Sequence, residues 1–164
     1  MIAPGFAQTM ARYNHWQNRA LYGAADGLPE EERRKDRGAF FKSIHGTLNH
    51  LLWADTIWMS RLAGIAKPPG GITGSVTFHD DWARLKRERA DFDAFIITWA
   101  DGLDEAWLAD DLVWHSGAIN ADVVRPRWLA VVHVFNRQTH HRGQVHAMLT
   151  AAGAKTEDTD LIFM

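Results

Sequence analysis

The chain has 164 residues, a length at which one domain can bury a substantial core. Its formal net charge is -2, from 18 basic and 20 acidic residues, which argues against general attraction to nucleic acid. The absence of cysteine excludes disulfides, thiolate metal ligands and a cysteine nucleophile. No apolar stretch reaches the ~18 residues of a membrane span, and the first residues do not resemble a signal peptide. We therefore expect one cytoplasmic domain over residues 1–164.

The first segment with helical spacing of apolar residues covers residues 6–26, and Gly27 ends it. Asn14 lies beside the apolar stripe of this predicted helix. Its amide either faces solvent or donates a hydrogen bond into a pocket, and the sequence leaves both interpretations open.

The second predicted helix runs from Ile44 to about Leu62, with Ser43 as its N-cap. His50 and Asp55 interrupt an otherwise apolar segment. A single histidine in such a place is more often a hydrogen-bonded core residue than a metal ligand. The loop 64–79 that follows is rich in glycine and proline, and is either a lid or a surface connection.

Asp80 and Asp81 cap a third predicted helix that extends to about Ala100. Two short β-prone runs within residues 111–125 then predict a minor hairpin, and a fourth long helix covers residues 127–152. Four amphipathic helices and one hairpin predict an all-α fold, a four-helix bundle with a minor hairpin before the last helix.

The last helix contains four of the nine histidines of the chain. Two metal ligands on one helix face normally stand four residues apart, because that spacing brings both rings to one point. The position four residues before His141 is Arg137, and His140 projects about 100° away around the helix. Spacing alone therefore indicates isolated histidines and not a metal motif.

Four stretches of the chain nevertheless resemble the DinB-like (DinB/YfiT) superfamily, in the order that the family has them. The strongest is Val134-Phe135-Asn136-Arg137-Gln138-Thr139-His140-His141-Arg142-Gly143-Gln144-Val145. The others are residues 13–18, 43–55 and 158–163. The resemblance implies a four-helix bundle connected up-down-down-up, often dimeric, with nickel or zinc bound by three histidines.

Carried over position by position, the resemblance assigns two metal ligands to His50 and His141, and places Arg137 at the third. Arginine stays protonated and offers no lone pair, so it cannot be a ligand. In one interpretation the two histidines still hold a metal, completed by water or a carboxylate. In the other, the guanidinium fills the cavity and pairs with Asp55 or with a bound anion. Asn14, Asp55 and Arg137 are the candidate substrate-pocket residues.

The resemblance implies an activity like that of relatives that transfer or isomerise small-molecule substrates with a low-molecular-weight thiol. The rival interpretation is a non-catalytic small-molecule-binding or stress-associated protein with a degenerate metal site. Apolar surface positions on the first and last helices, together with the family habit, suggest a homodimer.

Three further features have structural interpretations. We expect Gly143 to permit close approach of another helix, and we expect the tail of residues 154–164, which ends in four apolar residues, to dock. The eight tryptophans either fill the core or line a pocket.

Overall fold

The protein is described by a computed structural model that covers residues 1–117 and 119–164. It is mostly helical, with one small sheet. The helices are α1 (Pro4–Asp26), α2 (Glu30–Arg34), α3 (Ile44–Leu62), α4 (Trp82–Asp101), α5 (Glu105–Ala109) and α6 (Arg127–Ala151). The strands are β1 (Asp111–Ser116) and β2 (Ala121–Pro126), and two 3-10 turns cover Thr73–Thr77 and Leu161–Phe163.

The four long helices, α1, α3, α4 and α6, begin and end close to the predicted positions, because their terminal residues are strong signals. Ser43 accepts a hydrogen bond from the backbone N–H of Gly46 at the start of α3. Asp81 does the same for the N–H of Arg84 at the start of α4. Each cap satisfies a backbone donor that the first helical turn leaves unpaired.

The predicted hairpin is also present. β1 and β2 are antiparallel, with Asp111 opposite Pro126 at one end and Ser116 opposite Ala121 at the other. In this register Trp114 is half-buried, and its ring meets that of Trp58 on α3 edge to face. The hairpin thus places an aromatic side chain against α3.

The long helices bury two large apolar clusters, and Trp53, Ala54 and Ile57 of α3 form a smaller third one. α1 packs against α4 and α6, and α3 packs against α6 and, over a smaller surface, α4. One cluster includes Ala7, Ala11, Met59, Leu62, Ile96, Ala100, Val131, Val134 and Phe135. The other includes Leu21, Ala25, Leu48, Leu52, Leu85, Val145 and Leu149. On each long helix the stretch between these clusters contains buried polar residues, among them Asp55 and Arg142.

One structural expectation is wrong, and another is confirmed only in part. A Cβ added to Gly143 would meet no atom within 4 Å, so this glycine does not mediate close helix contact. The end of the chain is only partly docked. Tyr13 and Gln17 donate to the backbone oxygens of Thr159 and Asp158, but the apolar side chains of residues 161–164 remain exposed.

The loop 64–79 does more than connect two helices. Its 3-10 turn buries Ser75 against α3, although most neighbouring loop residues are exposed. Among the described residues, none of the helices has the length and apolar character needed to cross a membrane.

Candidate functional site

His50, near the middle of α3, is fully buried, and its hydrogen bonds define its tautomer. Its Nδ1 lies 2.7 Å from the hydroxyl oxygen of Ser75. That hydroxyl donates its own proton to the backbone oxygen of Ile72 at 2.6 Å. Ser75 must therefore accept from Nδ1–H, which leaves the lone pair of the neutral ring on Nε2. Phe41 stacks on the ring, with centroids 3.6 Å apart.

Arg137, on α6, makes a hydrogen bond to that lone pair. Its Nη2 donates a hydrogen bond to Nε2 of His50. A histidine that ligates a metal typically donates its other ring N–H to a neighbouring acceptor. His50 has that arrangement, with Ser75 as the acceptor, but a guanidinium occupies the position at which a metal would bind.

His141 stands beside the same histidine, as the resemblance implies. Its ring meets that of His50 edge to face, with centroids 5.1 Å apart. Its Nδ1 lies 2.8 Å from Oε1 of Gln144, a carbonyl-type oxygen that can only accept, so Nδ1 carries the proton. Within the part of the chain that the structure describes, Nε2 of His141 makes no hydrogen bond.

The environment keeps both histidines uncharged. Burial, followed by the charges of Arg137 and His141, lowers the pKa of His50 to about 3. Burial also lowers the pKa of His141, the hydrogen bond to Gln144 opposes this, and Arg137 adds to it. Desolvation disfavours a charged imidazole, and an adjacent cation disfavours it further. The site therefore offers neutral rings next to one permanent positive charge.

These residues line an open pocket of about 620 Å³ between α3, α6 and the segment before α3. Its described lining includes no carboxylate and consists of Phe40, Phe41, His50, Ile72, His133, Asn136, Arg137, His140, His141 and Gln144. A pocket with one guanidinium and no acid favours an anionic occupant over a cationic one.

Asp55 lies elsewhere. Its carboxylate accepts a hydrogen bond from Nη1 of Arg89 at 2.7 Å, and Nη2 of Arg89 donates to Asp93 at 2.6 Å. All three side chains are buried. Of the two partners that the sequence left open for Arg137, Asp55 is therefore the wrong one, because Arg89 on α4 already compensates this carboxylate.

Asn14 belongs to the same polar layer and not to the pocket around His50. Its Nδ2 donates to Asp93 at 3.0 Å, as does that of Asn18, and its Oδ1 accepts from Arg142. The interpretation of Asn14 as a donor into a substrate pocket thus has no support here, since its amide is committed to buried partners.

The polar layer draws on every long helix: Asn14 and Asn18 from α1, Asp55 from α3, Arg89 and Asp93 from α4, and Arg142 from α6. Two guanidiniums and two carboxylates balance within it. Burial alone would lower the pKa of Arg89, but the Asp93 and Asp55 carboxylates raise it. Burial raises the pKa of Asp55, and Arg89 opposes that rise. These opposing effects are those of a paired, buried ion network.

The donor set around His50 does not fit a divalent metal. Such a site normally needs three protein ligands if water is to keep a fourth position. Two imidazoles are present, Arg137 cannot ligate, and Nε2 of His50 is already hydrogen-bonded. Among the described residues, no group of three or more histidines, cysteines or acids is arranged to hold a metal ion.

Sequence reasoning missed three residues that shape the site: Ser75, Phe41 and Gln144. Gln144 carried a usable signal, because it follows His141 by three residues on one helix and so lies on the same face. Ser75 and Phe41 come from irregular segments, whose course the apolar pattern does not predict.

The comparisons with known proteins agree with this architecture. The family model described as the DinB family matches residues 1–164. The chain belongs to the DinB family. This match covers the whole chain, including the polar layer and the pocket.

A solved structure of a DinB-like protein from Bacillus cereus ATCC 10987 has a similar fold, with a TM-score of 0.57. It is 14% identical, and the alignment covers 87% of this DinB-family chain and 89% of the other. At that identity the likeness concerns the fold alone. None of the curated proteins matches the chain.

Proposed function

We propose that this DinB-family protein binds a small anionic ligand through Arg137, at the position where the family resemblance implies a metal. The proposal rests on the surroundings of the Arg137 guanidinium. It lies in an open pocket and donates to a neutral imidazole. No carboxylate of the described residues lies within ion-pair distance of it.

The charge of Arg137 is poorly compensated within the described chain. Burial lowers the pKa of Arg137, and the more distant Asp55 only partly opposes this. Its Nε is buried without a hydrogen-bond acceptor. A guanidinium presents five N–H donors in a planar fork that matches a carboxylate or another oxyanion. An anion in the pocket would supply the missing charge and accept hydrogen bonds from the Nη groups of Arg137.

We also propose that the four long helices form a DinB-type four-helix bundle connected up-down-down-up. The membership of the two apolar clusters supports this. Passing from one cluster to the other, residue numbers rise along α1 and α6 and fall along α3 and α4. The homodimer and the cytoplasmic location stay predictions.

The second candidate is a metal-dependent thiol transferase or isomerase that uses His50 and His141. The close approach of the two rings and the uncommitted Nε2 of His141 favour it. It requires Arg137 to leave His50 and a further ligand to come from water or from a carboxylate. The described pocket lining offers no such carboxylate. We therefore place anion binding first.

The test is a titration of the protein with acetate, at constant ionic strength set with chloride, followed by NMR chemical shifts. We expect the signals of Arg137, His50 and His141 to move in a saturable manner. Arg137→Gln removes the charge and should weaken acetate binding at least about tenfold, as expected for the loss of a charge-assisted bidentate contact. Arg19→Gln makes the same charge change at an exposed position of α1 and should leave binding unchanged.

The same samples are titrated with zinc and nickel. Tight metal binding by the wild-type protein, with loss of the His50–Arg137 contact and no response to acetate, would favour the transferase. Equal acetate affinity in the wild type and Arg137→Gln would also overturn the anion-binding proposal.

A further inference from the structure

A second pocket, of about 500 Å³, adjoins the first between α3, α6 and the hairpin. Ile72, His133 and Arg137 line both pockets, so Arg137 borders each of them. The aromatic and cationic side chains that line the second pocket include Trp53, Trp58, Arg61, Lys67, Trp114 and Arg137.

Arg61 is held against the aromatic wall of this pocket. Its guanidinium carbon lies 4.6 Å from the ring centroid of Trp58 and 5.5 Å from that of Trp114. The two tryptophans contact each other edge to face, with centroids 5.7 Å apart. Cation–π contacts place the charge without consuming its N–H donors. Arg61 makes no ion pair or side-chain hydrogen bond with the described residues.

The charges of the pocket are all of one sign. Arg61, Lys67 and Arg137 are positive, and the described lining includes no acid, although the whole chain carries a net charge of -2. His133 lines the same pocket, and burial, followed by the charges of Arg137 and Arg61, lowers its pKa. Concentrated positive charge in a concave, partly apolar space attracts and holds an anion.

The apolar part of the lining is flat and fixed. The indole Nε1 of Trp53 donates to the backbone oxygen of Pro69 at 2.9 Å, which sets the orientation of that ring. His133 packs on Trp58, with ring centroids 4.7 Å apart. Aromatic walls of this kind favour a planar ring, by stacking or by edge-to-face contact. An inorganic anion or an aliphatic chain would make fewer contacts with these aromatic walls than a planar ring.

We infer that the second pocket selects an aromatic acid: its carboxylate is bound by Arg137, and its ring lies against Trp53 and Trp114. Arg61 and Lys67 add to the attraction for the negative charge. The inference rests on the proposed function for the contact with Arg137, and it adds the chemical class of the ligand.

The experiment measures dissociation constants of benzoate, acetate and benzamide by NMR titration of the full chain at constant ionic strength. We expect benzoate to bind at least about tenfold more tightly than acetate, because its ring buries apolar surface that acetate lacks. Benzamide has the same shape without the charge and should bind weakly.

Trp114→Leu should weaken benzoate binding about tenfold and acetate binding much less, because it removes ring contacts and keeps the charge of Arg137. Trp99→Leu is a matched control. Trp99 is also half-buried and also meets another tryptophan, Trp107, edge to face, with centroids 5.9 Å apart, but at a different place. Arg61→Gln keeps the protein's apolar contacts largely intact and should weaken benzoate severalfold, even if Trp114→Leu unfolds.

The outcomes separate the two proposals. Benzoate binding that depends on Arg137 but not on Trp114 or Arg61 overturns the aromatic-acid inference and leaves anion binding standing. Benzoate binding that depends on Trp114 and Arg61 but not on Arg137 supports the aromatic pocket and overturns the role of Arg137. Equal affinities for benzoate and acetate overturn the aromatic-acid inference.

Discussion

At the scale of single residues, a metal ion and Arg137 would compete for the same lone pair, the one on Nε2 of His50. Ser75 fixes the tautomer that exposes this lone pair, and Arg137 then donates to it. A fixed positive charge at this distance also opposes a divalent cation electrostatically in a partly buried pocket. One residue therefore blocks the site in two ways, by occupying the ligand atom and by repelling the ion.

We expect Arg137→His to create a metal site. The new imidazole would stand four residues before His141 on α6 and beside His50, giving three nitrogen ligands with room for water. A metal that binds only the folded protein at 100 times its Kd raises the free energy of unfolding by about 2.7 kcal/mol. Thermal unfolding with added zinc or nickel measures this directly.

Arg137→Gln is the matched control for the metal experiment, since it removes the same charge without adding an imidazole. It should show a much smaller stabilisation by metal than Arg137→His. If the wild type and Arg137→His gain equal stability from the same metal, then the arginine does not block the site and another ligand completes it.

The sequence predicts part of this site, and the reasons for its failures are physical. Family resemblance brings His50 and His141 together and identifies Arg137 as a non-ligand. The sequence leaves Asp55 as one possible partner of Arg137, but Arg89 forms an ion pair with this carboxylate instead. Arg89 and Asp93 stand four residues apart on α4, a spacing that permits the observed ion pair. Helix packing brings the carboxylate of Asp55 beside Arg89. Residue spacing along one helix does not predict that packing.

At the scale of elements, the start of α3 determines how the segment before it covers His50. A Cβ on Gly46 would lie 2.5 Å from the backbone oxygen of Phe41 and 3.2 Å from Oγ of Ser43. The absence of a side chain at Gly46 thus allows Phe41 to reach its stacked position on His50.

We expect Gly46→Ala to lower the free energy of unfolding by roughly 1–3 kcal/mol, as overpacking typically does. It should also displace Phe41 and change the NMR signals of His50. Denaturant unfolding measures the first effect. A variant as stable as the wild type, with unchanged His50 signals, would show that the segment adjusts without strain.

Gly143→Ala is the opposite case on α6. The added methyl group meets no atom within 4 Å, and the residue is exposed in a helix interior. Replacing a helical glycine by alanine should raise the free energy of unfolding by about 0.5–1 kcal/mol. The same denaturant experiment compares both glycine variants. Destabilisation by Gly143→Ala would show that this position serves a contact outside the described chain.

The elements that the sequence predicts well are those with a cap and a long apolar repeat. α3 and α4 begin where Ser43 and Asp81 indicate, and the hairpin lies where two β-prone runs flank a turn. The 3-10 turn at Thr73–Thr77 and the short helix α5 are too brief for a repeat to reveal. The turn is nevertheless the element that brings Ser75 to the site.

At the scale of the whole molecule, several histidines are buried without charge, and acid should unfold the protein for that reason. Burial is the largest cause that lowers the pKa of His45, His50, His79 and His141. A lowered folded-state pKa means that the unfolded chain binds more protons. The stabilisation is therefore complete above the ordinary pKa of about 6.5 and decreases as the pH falls toward the folded values.

We expect the free energy of unfolding to fall between about pH 6.5 and pH 3, with His50 contributing up to about 1.4 kcal/mol per pH unit. Urea unfolding at a series of pH values measures the slope. His50→Phe removes this proton-binding group and should make the slope shallower, whatever its effect on absolute stability. An unchanged slope would show that His50 is protonated equally in the folded and unfolded states.

The polar layer between the two apolar clusters also limits how the long helices can slide past one another. A shift of one turn, about 5.4 Å, would separate Arg89 from Asp55 and leave buried charges unpaired, at a cost of roughly 3–5 kcal/mol. His50 stands five residues from Asp55 on α3, and Arg137 stands five residues from Arg142 on α6. His50 and Arg137 therefore each lie at a fixed distance, measured along their own helix axis, from the polar layer. The layer thus fixes where along the helix axes His50 and Arg137, which are 87 positions apart in sequence, come into contact. This holds whichever ligand occupies the pocket.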